Sequence, residues 1–320
     1  MLIRTALSVL SPAGPRARLS ILIFHRVLDE PDPLFPGEVD RRRFDEILGW
    51  VASWFSVLPL GQAVHGLKHG TLPSRAAVIT FDDGYADNWT NAVPILKKRG
   101  LPATFFIATG FLNGGRMWND TIIESIRRTE AKRLDLSKFD GGTWSIDGTD
   151  ERRAAVGRIL AQVKHLPFRQ RDEVVGFIAE ACAAALPTDL MMTDDQLVQM
   201  AASGMEIGAH TRSHPILTRI DDDLAAEEII ASRQYLSTLL ARDISLFAYP
   251  NGRQGDDFDR RHVRMVRELG FEAAVATNQG AASAGTDLFR LPRFTPWDRS
   301  RARFGARMLL NLQTPLQPAP

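Results

Sequence analysis

This 320-residue chain has one cysteine, no excess of charge of either sign, and no long apolar run. Each absence removes a class of protein. Cys182 alone excludes an internal disulfide, and its neighbours Ala181, Ala183, Ala184 and Ala185 predict an inert, buried thiol, compatible with a reducing compartment. With 39 basic residues against 38 acidic ones, the chain carries no electrostatic footprint of a nucleic-acid binder. The clusters Arg41-Arg42-Arg43 and Arg260-Arg261 read as solvated helix faces. A membrane span needs about 20 consecutive apolar residues, so no transmembrane segment is expected. The N-terminus offers only Ala6-Leu7-Ser8-Val9-Leu10 after Arg4, broken by Pro12, which falls short of a secretory signal with a small-residue cleavage site. A cytoplasmic location is the resulting expectation, with a periplasmic or membrane-associated one as the alternative. No internal repeat is visible. What is present is 44% hydrophobic content, enough to bury the core of one large α/β domain or two small ones.

Strand-like apolar runs alternate with helical stretches. Residues 19–24, 76–81, 103–107, 206–209, 246–249 and 273–276 read as strands. Residues 43–55, 88–99, 224–240 and 262–269 read as helices, with Gly100 and Gly270 as stops. Such alternation predicts a parallel sheet wrapped by helices. Roughly residues 113–190 depart from it, with helices predicted over 151–164 and 169–186 and a turn-rich piece at Asp140-Gly141-Gly142-Thr143. This is a helical insertion, a lid or side wall, rather than a separate domain. Thr193 and Gln196 fit a capping box opening the next helix. Residues 1–18 form an N-terminal extension, and the Pro-rich residues 313–320 are expected to be disordered.

The chemistry concentrates in two motifs. The apolar run 76–81 ends in Asp82-Asp83-Gly84-Tyr85, which is how a buried strand delivers acids to the rim of a sheet. His210-Thr211-Arg212-Ser213-His214 follows another strand and offers two imidazoles, with Gly208 and Pro215 marking a strand-to-loop exit. An Asp-Gly pair at a strand end is often only a turn, and two nearby histidines are often only surface residues. Together, one carboxylate and two histidines make a three-ligand site with open positions, as catalytic rather than structural metal sites have. The second carboxylate is then free to act as a base. Zinc is the default divalent metal for such a set, while iron(II), cobalt and nickel fit the same ligands.

These motifs resemble the polysaccharide deacetylases with a NodB-type domain (carbohydrate esterase family 4). The resemblance runs from Ile21-Leu22-Ile23-Phe24-His25-Arg26-Val27 through Gly100-Leu101-Pro102-Ala103-Thr104-Phe105-Phe106 and Phe247-Ala248-Tyr249-Pro250-Asn251-Gly252 to Arg290-Leu291-Pro292-Arg293. It implies an α/β fold, an irregular (β/α) barrel of about seven strands spanning residues 19–312. It implies a metal-dependent hydrolase that removes N-acetyl groups from the amino sugars of a glycan. By the same resemblance Asp83, His210 and His214 bind the metal and Asp82 is the general base.

Many members carry their acid histidine in a C-terminal Leu-x-His motif, but no histidine follows His262 here. The layout is closer to the poly-N-acetylglucosamine deacetylases, which makes His25 the candidate acid; a buried core histidine is the plain alternative. Ala248 stands where the family has an arginine, so Arg293, otherwise a surface arginine, becomes the candidate to orient Asp82. Tyr249 and Asn251 fall in the substrate and oxyanion segment, Asn251 acting through its backbone N–H. Trp118, Trp297 and Tyr85 are candidate sugar-stacking walls, against core packing. His65, His69, His165 and His262 carry no motif. The missing arginine also leaves room for a catalytically silent carbohydrate-binding domain, and the scaffold for a deformylase of a lipid-linked amino sugar.

Overall fold

Short runs rich in Val, Ile and Phe become fully buried parallel strands, and the polar, periodic stretches between them become the helices that cover them. The computed structural model describes residues 2–314. The first part of the chain forms α1 (Leu2–Leu10), β1 (Ser20–Phe24), α2 (Arg41–Trp54), β2 (Ser56–Val57), α3 (Leu60–His69) and β3 (Ala76–Phe81). A π-helical turn (Asn88–Ala92) leads into α4 (Val93–Lys98) and β4 (Thr104–Ile107). The next stretch holds α5 (Trp118–Arg128), β5 (Arg133–Asp135), β6 (Thr143–Ser145), α6 (Thr149–Val163) and α7 (Phe168–Cys182). The rest is α8 (Asp194–Ala202), β7 (Glu206–Ala209), α9 (Asp222–Leu240), β8 (Leu246–Ala248), α10 (Arg260–Glu268), β9 (Ala273–Val275) and α11 (Arg301–Gln313).

Strands β1, β3, β4, β7, β8 and β9 pair in parallel in that order, and β2 joins alongside the start of β3, giving seven strands. Residues 291–294 lie between the two ends of this row. Leu291 bridges Val275 and Phe294 bridges Leu22, with Phe294 N–H donating to the Ile21 carbonyl at 2.7 Å. The sheet is therefore curled into the expected irregular (β/α) barrel.

Strand alternation divides the core. Phe24, Phe81, Phe105, Ile207, Phe247 and Ala274 pack outward beneath the helices. Their neighbours Ile21, Val78, Phe106, Ala248 and Val275 form the second cluster, inside the curl. Gly208 keeps its place in the sheet because it has no Cβ: one built there would lie 2.5 Å from the Phe106 ring.

The expected insertion folds as α5, the antiparallel β5–β6 hairpin, α6 and α7 around an apolar cluster of its own, including Ile122, Ile126, Leu134, Ile159 and Ile178. Cys182 is buried there, and burial pushes its thiol up, as its apolar neighbours predict. The capping box at Thr193 and Gln196 is present. Helix α1 is not expected from the sequence, yet it packs on α11, with Leu7 buried. Gln313 closes α11, and residues 315–320 of the expected disordered tail lie outside the described residues.

Candidate active site

Two strand exits bring the acidic and histidine motifs together. Asp82 continues the inward face of β3, two residues after Thr80. Asp83 then takes a φ of 78° and Gly84 one of 91°, so the chain turns sharply and the adjacent carboxylates diverge. After β7, Thr211 and His214 also sit in the left-handed region, at φ 62° and 54°. This loop is strained but held. Thr211 Oγ1 donates to the His210 carbonyl at 2.6 Å and accepts from His214 N–H at 3.1 Å. From α9, the buried Glu228 accepts the N–H groups of Arg212 and Ser213 at 2.9 and 2.7 Å and the Ser213 hydroxyl at 2.7 Å.

Asp83 Oδ1 lies 3.5 Å from His210 Nε2 and 3.5 Å from His214 Nε2. The ligand atoms of the three residues all fall within 4.8 Å of one another. His210 Nδ1 is 2.7 Å from the Ala248 carbonyl, so Nδ1 carries the proton and Nε2 presents its lone pair to the centre. Asp83 Oδ1 is buried with no hydrogen-bond partner among the described residues. An orphaned carboxylate oxygen converging with two imidazole nitrogens is costly by itself and fits a divalent cation. Burial works against ionised Asp83, but the His210 and His214 imidazoles beside it outweigh this, holding the carboxyl well below its usual range. Burial pushes His214 down to about 4, against the pull of Asp83, so its ring is neutral at neutral pH, the form that binds metal.

Asp82 is held separately. Arg293 Nη1 and Nη2 donate to its two carboxylate oxygens, each at 2.6 Å. The same guanidinium donates through Nε to the Ala276 carbonyl at 2.9 Å and through Nη1 to Thr80 Oγ1 at 3.3 Å. It is 1% exposed, so this is no surface arginine. Alternation explains how it arrives: Arg293 stands two residues after the inward-facing Leu291, in the interior that the small side chain of Ala248 leaves open. Burial favours the protonated acid, but Arg293, then His210, outweigh it and keep Asp82 ionised.

A sequence profile described as polysaccharide deacetylase matches residues 69–137 and 172–274, more than half of the chain. The chain belongs to the polysaccharide deacetylase family. It is thereby a hydrolase acting on carbon–nitrogen bonds, and deacetylation of a polysaccharide is its activity class. A Bacillus subtilis protein named as a polysaccharide deacetylase, YxkH, is 22% identical over 279 residues, covering 87% of this chain and 71% of that protein. The Staphylococcus aureus poly-β-1,6-N-acetyl-D-glucosamine N-deacetylase is 26% identical over 174 residues, covering 53% of this chain and 60% of that enzyme. Among solved structures, the Streptococcus pyogenes deacetylase PplD, determined with acetate, superposes with a TM-score of 0.60 at 21% identity, covering 92% of this chain and 98% of its own. IcaB from Ammonifex degensii superposes with a TM-score of 0.58 at 19% identity, covering 95% and 99%. Both share the fold.

In this deacetylase Asp83 and His214 open into a cleft of about 270 Å³ whose walls differ in origin. Asp83, His214, Ile216 and Asn251 come from the barrel; Met117, Trp118, Leu160, Lys164 and Arg171 come from the insertion. Asn251 has a φ of 59°, and its N–H makes no hydrogen bond among the described residues. His25 follows β1 and is exposed. Its carbonyl accepts from Asn88 Nδ2 at 2.8 Å.

Tyr249 requires a correction. Its place in the motif suggests a substrate contact, but alternation turns it outward, where it stacks on Phe258 at 3.8 Å and donates to the Phe289 carbonyl at 3.0 Å. It is a core residue. Of the aromatic candidates Trp118 lines the cleft, Trp297 is 63% exposed, and Tyr85 is buried. The Tyr85 hydroxyl donates to Asp120 on α5, at 3.1 and 3.2 Å from the two oxygens. Neither Asp120 nor Glu228 belongs to a motif. Glu228 is detectable from sequence only as a charge on the inner face of a long helix.

Proposed function

We propose that this deacetylase is metal-dependent and removes N-acetyl groups from the amino sugars of a glycan, with zinc as the default metal. The observation carrying this reading is the orphaned Asp83 Oδ1 facing His210 Nε2 and His214 Nε2. A divalent cation bound there supplies Lewis-acid polarisation of the acetamide carbonyl and lowers the pKa of water enough to attack at neutral pH. Asp82, ionised against Arg293, receives the proton from the attacking water. The Asn251 N–H, free to donate, holds the oxygen on which charge develops. His25, on the first strand exit, gives a proton to the departing amine nitrogen. Acetate and a free amino sugar leave.

Arg293 weakens the case for a silent binding domain, because Asp82 keeps a buried guanidinium partner despite Ala248. The test is acetate release from N-acetylglucosamine oligomers, with N-formylated oligomers alongside. Chelation abolishes release, and zinc or cobalt restores it. His25→Ala keeps the metal and loses about 10²–10⁴-fold in turnover. His210→Ala loses the metal itself. Turnover indifferent to chelation overturns the metal dependence; full activity in His25→Ala moves the acid elsewhere; a preference for the formylated series makes the enzyme a deformylase.

A further inference from the structure

We infer that the insertion side of the cleft is a subsite for an acidic group of the glycan, a carboxylate or a phosphate, carried by a unit next to the one deacetylated. The inference rests on the deacetylase reading for the direction of the substrate. Its basis is the charge along the wall. Apart from the metal set, the charged residues lining the cleft are Lys164 and Arg171. Arg171 is buried, with its guanidinium 5.3 Å over the ring of Trp118, another residue of the same wall. Lys164 closes α6 and makes no ion pair among the described residues.

The cleft does not end there. A second cavity of about 580 Å³ shares Lys164 and Ile216 with it and continues past His165, Arg219 and Arg253. The acids in this cavity are turned to local partners. Asp256 lies 3.4 Å from Arg253, and Asp257 accepts the Arg253 N–H at 2.9 Å. Arg219, like Lys164, has no ion-pair partner among the described residues. The path from the metal set therefore runs along Arg171, Lys164 and Arg219.

Guanidinium groups take carboxylates and phosphates with matched, charge-assisted hydrogen bonds, and lysine adds a point charge. A deacetylated sugar is an ammonium ion at neutral pH, so the same wall repels the product. The wall therefore disfavours a unit already processed and favours an acidic one. Residues 138–171, which include Lys164 and Arg171, fall between the two segments matched by the family profile, whereas Met117 and Trp118 of the same wall lie within the first.

The experiment compares three substrates at low and high ionic strength: a neutral N-acetylglucosamine tetramer, a tetrasaccharide alternating N-acetylglucosamine with glucuronate, and an N-acetylglucosamine oligomer bearing a phosphodiester. At low salt one or both acidic substrates are favoured over the neutral one by about tenfold or more in kcat/KM, mainly through KM, and high salt removes the preference. The stronger arm identifies the acid. Lys164→Gln and Arg219→Gln each lower the acidic-to-neutral ratio, and together with Arg171→Gln bring it to about one. Equal use of all three substrates, or a preference that survives the substitutions, overturns the subsite. If no substrate releases acetate, the deacetylase reading fails on its own. Calorimetric binding of the two acidic oligomers then decides the subsite: salt-sensitive binding weakened by Lys164→Gln supports it, and no binding overturns it.

Discussion

The rim of the barrel and the insertion beside it hold their polar groups by opposite means. At the rim Asp82 is held by a two-pronged Arg293, His210 by the Ala248 carbonyl, and the His210–His214 loop by Glu228 from α9. In the insertion the charged groups stand at helix ends around a separate apolar cluster. Its ties to the barrel include the paired hydrogen bonds of Arg127 to Asp32 at 2.9 and 2.6 Å, Arg153 to the Leu34 carbonyl, Tyr85 to Asp120, and the backbone bonds at Leu190 and Met192. Chemistry that tolerates little displacement sits on strand ends. Recognition, which must vary with the glycan, sits on an element that can change without disturbing the sheet.

The sharpest way to break the rim is Arg293→Met. A buried carboxylate stripped of its partner costs about 3–5 kcal/mol of stability, readable by denaturant unfolding. The sign of the pH dependence also changes. In the parent protein the Asp82 pKa is held down, so its contribution to stability is present above the unfolded value and is lost as pH falls through the folded one. In the variant burial is opposed by His210 without Arg293, so the pKa rises, and once it lies above the unfolded value stability is lost as pH rises instead. The acidic limb of kcat/KM moves to higher pH with it, and an unmoved limb means that Asp82 is not the base.

Asp120 probes the seam between the regions. Burial, aided by the charge of Asp83 and opposed by Arg26, raises its carboxyl to about 7. The folded protein therefore holds a proton that the unfolded chain releases near 3.8, and stability falls as pH rises from there to about 7. The upper bound on this loss is ~4 kcal/mol. Asp120→Asn, measured on chelated protein, flattens this slope; an unchanged slope places the titrating group elsewhere. Glu228→Gln tests the rim's outer support. Metal affinity drops about 10–100-fold, as when an outer partner of a ligand is lost, and saturating zinc restores turnover. Unchanged affinity means that the His210–His214 loop holds itself.

Much of the rim is legible in the sequence because period-two alternation is local. It delivers Asp82 to the sheet's rim and marks the strands that carry His25 and His210. The same rule, applied across a long connection, brings Arg293 into the interior opposite Ala248, though the partner it finds depends on how the sheet curls. Tyr249 misleads for the complementary reason: its motif position is right, but the neighbouring residue faces inward. Glu228 and Asp120 act through contacts between distant elements and leave no pattern. The strands of the hairpin span Arg133–Asp135 and Thr143–Ser145, too short to show a period, so only their turn is visible.

The smallest effect separates the two regions most cleanly. Ile159 is fully buried in the insertion's own cluster, so Ile159→Val removes one methylene and costs about 0.5–1.5 kcal/mol. Because that cluster is distinct from the two barrel clusters, the loss is confined to the insertion. Amide exchange quickens in α5, α6 and α7, while the amides of β3 and β7 exchange as before and zinc affinity is unaltered. Exchange that quickens equally in β3 and β7 means that insertion and barrel open as one unit. The rim would then depend on the insertion, and variation in this wall would carry a cost at the metal set.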